Sequence, residues 1–172
     1  MNLRSFFLAL LFLGGLSTGV SAQKIASIDM ERILSSITEY QDAQEQLDQL
    51  TAKWQQEINQ QYDEIKGMYN KYQAEQVLLS PEQQKTREDE IVAKEKAVRE
   101  LQRRRFGPEG LLFERRQELV QPIQEAVYEA VEAYARTRGY DFILDRSSAA
   151  GIIFSNDTYD KTDDILRALQ NK

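Results

Sequence analysis

Between Thr38 and Leu79 apolar residues fall at Leu47, Leu50, Trp54, Ile58, Tyr62, Ile65, Tyr69 and Tyr72, in steps of three or four. That is the helical period and not the alternation of a strand, so the stretch predicts one long helix carrying a thin apolar stripe on a polar rod. Its interior has no proline and one glycine, Gly67, and the Gln, Glu, Lys and Asp between the apolar positions are good or tolerable helix formers. Ser80-Pro81-Glu82-Gln83 then reads as a second helix start, with Ser as N-cap, Pro at the first helical position and Gln at the capping-box position. The chain therefore folds back at Leu79-Ser80-Pro81. The return helix from Pro81 to Arg105 is more polar, with only Ile91, Val92, Val98 and Leu101 as sizeable apolar residues. At about 1.5 Å per residue the outgoing helix is on the order of 60 Å long, longer than a compact domain of this size is wide. The hairpin must protrude from whatever anchors it.

Phe106-Gly107-Pro108-Glu109-Gly110 interrupts the return helix, since a proline flanked by glycines breaks or kinks a helix. Pairing the arms about the turn sets Gly107 opposite Trp54 and Pro122 opposite Glu39. Helical pattern resumes at Leu111, with Leu112, Leu119, Ile123, Val127, Ala130 and Tyr134 on one face; Arg136 and Arg138 lie in its last turn and Gly139 stops it. Short strands are expected at Lys24–Asp29, Tyr140–Asp145 and Gly151–Ser155. A short helix with Asp29 as cap is expected over Met30–Ile37, and another, capped by Thr162 or Asp163, carries Ile165, Leu166 and Leu169 inward. Such a base buries too little apolar surface to hold out so long a lever alone. Self-association is the remedy, with Ile25, Ile28, Phe142, Leu144 and Ile153 as strand positions short of partners within one chain.

Composition narrows the chemistry. Among the 172 residues there is no Cys and no His, so disulfides, thiol nucleophiles, imidazole bases and the commonest zinc ligands are absent. No Gly-rich phosphate loop followed by Lys-Ser or Lys-Thr occurs, and the acidic run near Asp157–Asp164 lacks calcium-loop spacing. Neither catalytic residues, nor a metal, nor a cofactor is expected. A net charge of −6 and a pI of about 4.9 argue against nucleic acid as a partner. Residues 1–22 differ in kind: Arg4, the apolar run Phe6–Leu13, and small residues at Val20-Ser21-Ala22 read as a cleaved secretory signal. The run is too short for a membrane anchor. Its removal leaves 21 basic against 28 acidic residues, a charge of −7.

The leader, the Lys24-Ile25-Ala26 strand, the long polar hairpin, the helix Val120–Ala135, the segment Gly139–Asp145 and the stretch Asp160-Lys161-Thr162-Asp163-Asp164-Ile165-Leu166 together resemble the Skp (OmpH) family of periplasmic chaperones. The resemblance covers essentially the whole mature chain, in order. It implies a mainly α fold with a small β body: a long antiparallel helical hairpin, or tentacle, on a β-barrel-like trimerisation base. In those terms 1–22 is the signal peptide, 23–38 and 122–172 the trimerisation body, and 39–121 the arm. It further implies a periplasmic homotrimer that acts as an ATP-independent holdase for unfolded outer-membrane proteins, enclosing them between its arms. The best-known member is basic whereas this chain is acidic, which sets membrane or lipopolysaccharide contact apart from the other implied partners. The rival reading is a structural coiled-coil protein of the cell envelope that binds one folded partner.

Three groups of side chains are candidates for that work. Trp54, Ile58, Tyr62, Ile65, Tyr69 and Tyr72 would contact clients, unless the seam between the arms takes them. Arg103, Arg104 and Arg105 form the basic cluster that could meet an anion, against Glu57, Asp63 and Glu64 on the facing arm, which would draw them into a cross-arm charge network. Gly107, Pro108 and Gly110 would be a hinge.

Overall fold

The computed structural model describes residues 22–148 and 151–170; the expected signal peptide, apart from Ala22, lies outside them. The described residues are mainly helical, with one two-stranded sheet. Strand β1 (Ile25–Ile28) leads into α1 (Met30–Ser35), and α2 (Thr38–Glu75) runs out to a 3-10 turn, Gln76–Leu78. Helix α3 (Pro81–Phe106) and then α4 (Leu111–Arg138) bring the chain back to β2 (Phe142–Asp145), a 3-10 turn at Asp157–Tyr159 and α5 (Thr162–Gln170).

The caps follow the chemistry of the sequence. The Asp29 carboxylate accepts from the Arg32 N–H and opens α1. At the hairpin end the Ser80 hydroxyl accepts from the Gln83 N–H while the Gln83 side chain accepts from the Ser80 N–H, with Pro81 as first helical residue. Gly139 closes α4 at φ +69, where the Tyr140 N–H reaches the Ala135 carbonyl at 2.9 Å. Thr162 differs from its expected role: it is the first residue of α5, and its N–H donates to Asp160 at 2.9 Å. Its hydroxyl donates to the same carboxylate and accepts from the Asp29 N–H at 2.9 Å, which ties the last helix to the first strand.

Strands β1 and β2 pair in parallel, Ile25 opposite Phe142 through Ile28 opposite Asp145. A parallel pair needs a long crossover, and here the entire arm is that crossover. The expected third strand at Gly151–Ser155 does not form. The second edge of β1 is taken instead by Asp160, with the Lys161 N–H donating to the Ser27 carbonyl at 2.8 Å. Arg146 turns the chain toward that edge by pairing with Asp160 at 2.9 Å and Asp29 at 3.7 Å. Residues 151–155 pair with neither strand, and Ile153 is fully exposed.

Among the described residues the core is strung out in three clusters. In the base, Ile28, Ile33, Leu34, Val127 and Ile165 are buried against Ile37, Tyr40, Ile123, Ile143 and Leu166. Low on the arm, Ala43 and Leu47 of α2 meet Val120 of α4. Beyond the break, Ile58 and Ile65 meet Ile91 and Val98 of α3. Ile58, Ile65 and Tyr72 recur every seventh residue, as do Trp54, Gln61 and Met68, which is the seam pattern of an antiparallel coiled coil.

Candidate functional site

Two surfaces remain once the cores are filled: the flanks of the arm and the outer face of the base. On the arm, Ile58 and Ile65, two of the six candidate client contacts, are 1 % and 5 % exposed and closed inside the seam. They hold the arms together, because Ile91 and Val98 sit at the same heights on α3. Trp54 and Tyr72 are half-buried. Trp54 meets Phe106 edge-on, ring centroids 6.0 Å apart. Tyr62 and Tyr69 are the exposed members. Their rings flank the seam and their hydroxyls cross it, Tyr62 donating to Gln102 at 3.3 Å and Tyr69 to Glu95 at 3.0 Å. Tyr72 likewise donates to Glu88. The hydrogen bond to each carboxylate favours the neutral phenol, so the pKa values of Tyr69 and Tyr72 are raised above the ordinary tyrosine range. The tyrosines thus present ring faces to solvent with their polar ends already satisfied.

The arginine run divides. Arg105 is committed to the opposite arm: both of its terminal nitrogens bond Glu57, at 2.6 and 3.0 Å, and its guanidinium lies 5.2 Å from the Trp54 ring centroid. Arg103 pairs with Glu100 on its own helix at 2.5 Å. Lys94 reaches Glu64 at 2.8 Å, so the cross-arm network takes Glu57 and Glu64; among the described residues no ion pair reaches Asp63. Arg103 and Arg104 line an open cleft of about 680 Å³ beside the break, together with Glu100, Glu109 and Glu114. Carboxylates outnumber guanidiniums there, which disfavours an anion.

The break is a tight corner rather than a loose joint. The Gly107 N–H donates to the Arg103 carbonyl at 2.8 Å and the Gly110 N–H to the Gly107 carbonyl at 2.9 Å. Neither glycine is present for its φ, which is −64° and −83°. Each is required by close approach: a Cβ at Gly107 would stand 2.4 Å from the Arg103 carbonyl oxygen, and one at Gly110 2.8 Å from that of Arg104. Gly110 is also buried. At Gly107, Pro108 and Gly110, the residues expected as a hinge, packing and hydrogen bonds hold the corner.

At the base, Ala26, Ile28 and Ile143 turn inward to the core, while Ile25, Phe142 and Leu144 occupy the opposite face of the same two strands. All three are exposed, and Phe154 and Tyr159 lie beside Ile25 and Leu144 around a shallow cavity of about 380 Å³. Of the residues expected to lack partners, Ile28 does not belong, being 2 % exposed within its own chain's core, and Ile153 lies outside any strand. The remainder is a largely apolar, half-covered face, on which Ser27 is buried and bonds Ser155 at 3.0 Å while Ile25, Phe142 and Leu144 stay exposed. Polar contacts fix its edges. The Asp160 carboxylate is partly desolvated, which raises its pKa, but hydrogen bonds from Thr162 and the charges of Arg146 and Arg32 outweigh this and hold it low. Asp145 behaves alike: burial raises it, and bonds from Ser147 and the Met30 N–H prevail. At the far end of the sheet Lys24 lies 4.4 Å over the Tyr140 ring, which stacks on Tyr134.

Sequence periodicity passed over several exposed apolar side chains: Val77 and Leu78 at the tip and Phe113 after the break. Their signal was position off the helical stripe, as in the run Val77-Leu78-Leu79 directly before Ser80-Pro81.

This architecture has known relatives. No curated protein matches the chain. Among solved structures it is similar to that of a protein described as an OmpH-like outer membrane chaperone, from Caulobacter crescentus CB15. The TM-score is 0.68 over 89 % of this chain and 87 % of that one, at 13 % identity, so the likeness is one of fold. The sequence pattern of the OmpH family, outer membrane protein (OmpH-like), matches residues 24–169. From first strand to final helix, the chain belongs to the Skp/OmpH family.

Proposed function

We propose that the protein is an ATP-independent periplasmic holdase that keeps unfolded outer-membrane proteins from aggregating, and that it does so by binding alone, without catalysis or cofactor. It would act as a homotrimer. The body, residues 23–38 and 122–172, would complete a barrel-like core by bringing three copies of the Ile25, Phe142 and Leu144 face together. The arms, residues 39–121, would then surround a common space. Residues 1–22 would direct export and then be cleaved off.

The observation that carries this reading is the arm itself. A seam closed by Ile58, Ile65, Ile91 and Val98 leaves Tyr62, Tyr69, Val92, Leu111 and Phe113 spaced along the outside. Dispersed apolar contacts without a shaped pocket suit a partner that has no fixed shape. The test is suppression of aggregation of several unrelated unfolded barrel proteins, without nucleotide. A holdase protects them all; a structural spacer with one folded partner protects none.

A further inference from the structure

The first residue after the expected leader is Gln23, and it is exposed. Among the described residues none hydrogen-bonds its side chain. The chain is pinned one residue later. The Lys24 N–H donates to the Asp141 carboxylate at 2.7 Å, and the Lys24 side chain donates to the Arg138 carbonyl at 2.6 Å while lying 4.4 Å over the Tyr140 ring. The Asp141 N–H answers with a bond to the Lys24 carbonyl at 2.8 Å. Cleavage after Ala22 would therefore leave one exposed residue at the head of β1, with its α-amine and its side-chain amide both clear of the fold. Gln23 also stands at the rim of the cavity of about 380 Å³ that it shares with Ile25, Leu144, Phe154 and Tyr159, and none of the described residues lining that cavity carries a charged side chain.

We propose that Gln23 is a modification site, which cyclises to pyroglutamate once cleavage frees its α-amine. The inference rests on the export reading above. An α-amine ordinarily titrates at about 7.7 to 8.0, so a working share of it is neutral near pH 7. The neutral nitrogen attacks Cδ of the same residue's side chain. A new N–Cδ bond closes the lactam, the Cδ–Nε2 bond breaks, and Nε2 departs as ammonia with the proton that the amine gives up. Nothing is oxidised or reduced, and no group outside Gln23 is consumed. The ties at Lys24 stand unchanged, because the ring uses only the atoms of Gln23. The product is a neutral terminus. Desolvating a charge is costly, so an α-ammonium at this rim opposes burial of the Ile25 and Leu144 face; the lactam removes that charge.

The test is the intact mass of the mature protein recovered from the cell envelope and held for days at neutral pH, with the N-terminal peptide sequenced by fragmentation. Expected is the mass of residues 23–172 less one ammonia, with the loss located in the N-terminal peptide. Gln23→Ala, which keeps the α-ammonium and cannot form the ring, should show the full mass of its own sequence from residue 23 and an unchanged circular dichroism spectrum, since the position is exposed. A parent chain that begins at Gln23 and keeps its ammonia overturns the proposal alone. A chain that begins at any other residue overturns the leader reading and the proposal together. The proposal is equally overturned if Gln23→Ala also loses ammonia, which would move the chemistry to another amide.

Discussion

Replacing Gly107 by Ala should destabilise the arm even though it raises helix propensity. In the bent corner the added Cβ would meet the Arg103 carbonyl oxygen at 2.4 Å, about 1 Å inside ordinary contact. Overpacking of this kind costs about 1 to 3 kcal/mol. The alternative is to straighten the chain, gaining at most about 1 kcal/mol from the lost glycine. Straightening would, however, pull Phe106 from Trp54 and swing Gly110 out of its buried site, and edge-on aromatic contact alone contributes about 0.5 to 1.5 kcal/mol. Neither route recovers the loss, so a net destabilisation of about 1 to 2 kcal/mol is expected. With a urea slope of about 2 kcal/mol per molar, the midpoint falls by roughly 0.5 to 1 M. Urea unfolding followed by circular dichroism measures this, and Trp54, the single tryptophan, reports locally because its ring meets Phe106. A midpoint at or above that of the parent, with unchanged Trp54 emission, would refute the packed-corner account and restore a loose hinge.

Ile58→Ala removes a side chain that is 1 % exposed and should cost about 2 to 4 kcal/mol in the same urea experiment, whereas Tyr62→Ala should cost far less. Phe142→Ala should weaken self-association by about 2 kcal/mol for each contact it buries, while deletion of Gln76 to Arg87 should leave it intact; light scattering reads both, and a monomeric tip deletion would reverse the assignment of base and arm. Asp145, Asp160 and Asp164 have pKa values below the ordinary 3.8. Their contribution is therefore fully present above that value and is lost as pH falls through the lowered ones. The urea midpoint of the base should decline below about pH 4, and Arg146→Leu should shrink the decline; a decline already complete at pH 6 would exclude these carboxylates as its cause.

The helices were legible because their determinants are local. Leu47 through Tyr72 recur at helical spacing, Ser80-Pro81-Glu82-Gln83 specifies a cap, and Gly139 needs its left-handed turn; each appears where the spacing places it. The pairing of the arms was legible too, since one short turn fixes the register of two rods: Arg105 meets Glu57 and Trp54 meets Phe106. The third strand was not. Gly151–Ser155 has strand composition, but pairing is decided by contacts distant in sequence, and it is Asp160 that bridges to β1. The corner at Gly107 and Gly110 likewise looks flexible in one dimension, and only the distances to the Arg103 and Arg104 carbonyls reveal it as close packing. Sequence alone also could not divide the aromatic stripe into Ile58 and Ile65, which face α3, and Tyr62 and Tyr69, which lie at its margin.

Native mass spectrometry of the mature chain with one unfolded barrel protein, in the absence of nucleotide, tests the central claim most directly. The account predicts three copies of this chain holding one client, with Phe142→Ala losing trimer and client together. Free client beside monomers of this chain, or a complex only with a folded partner, would contradict it.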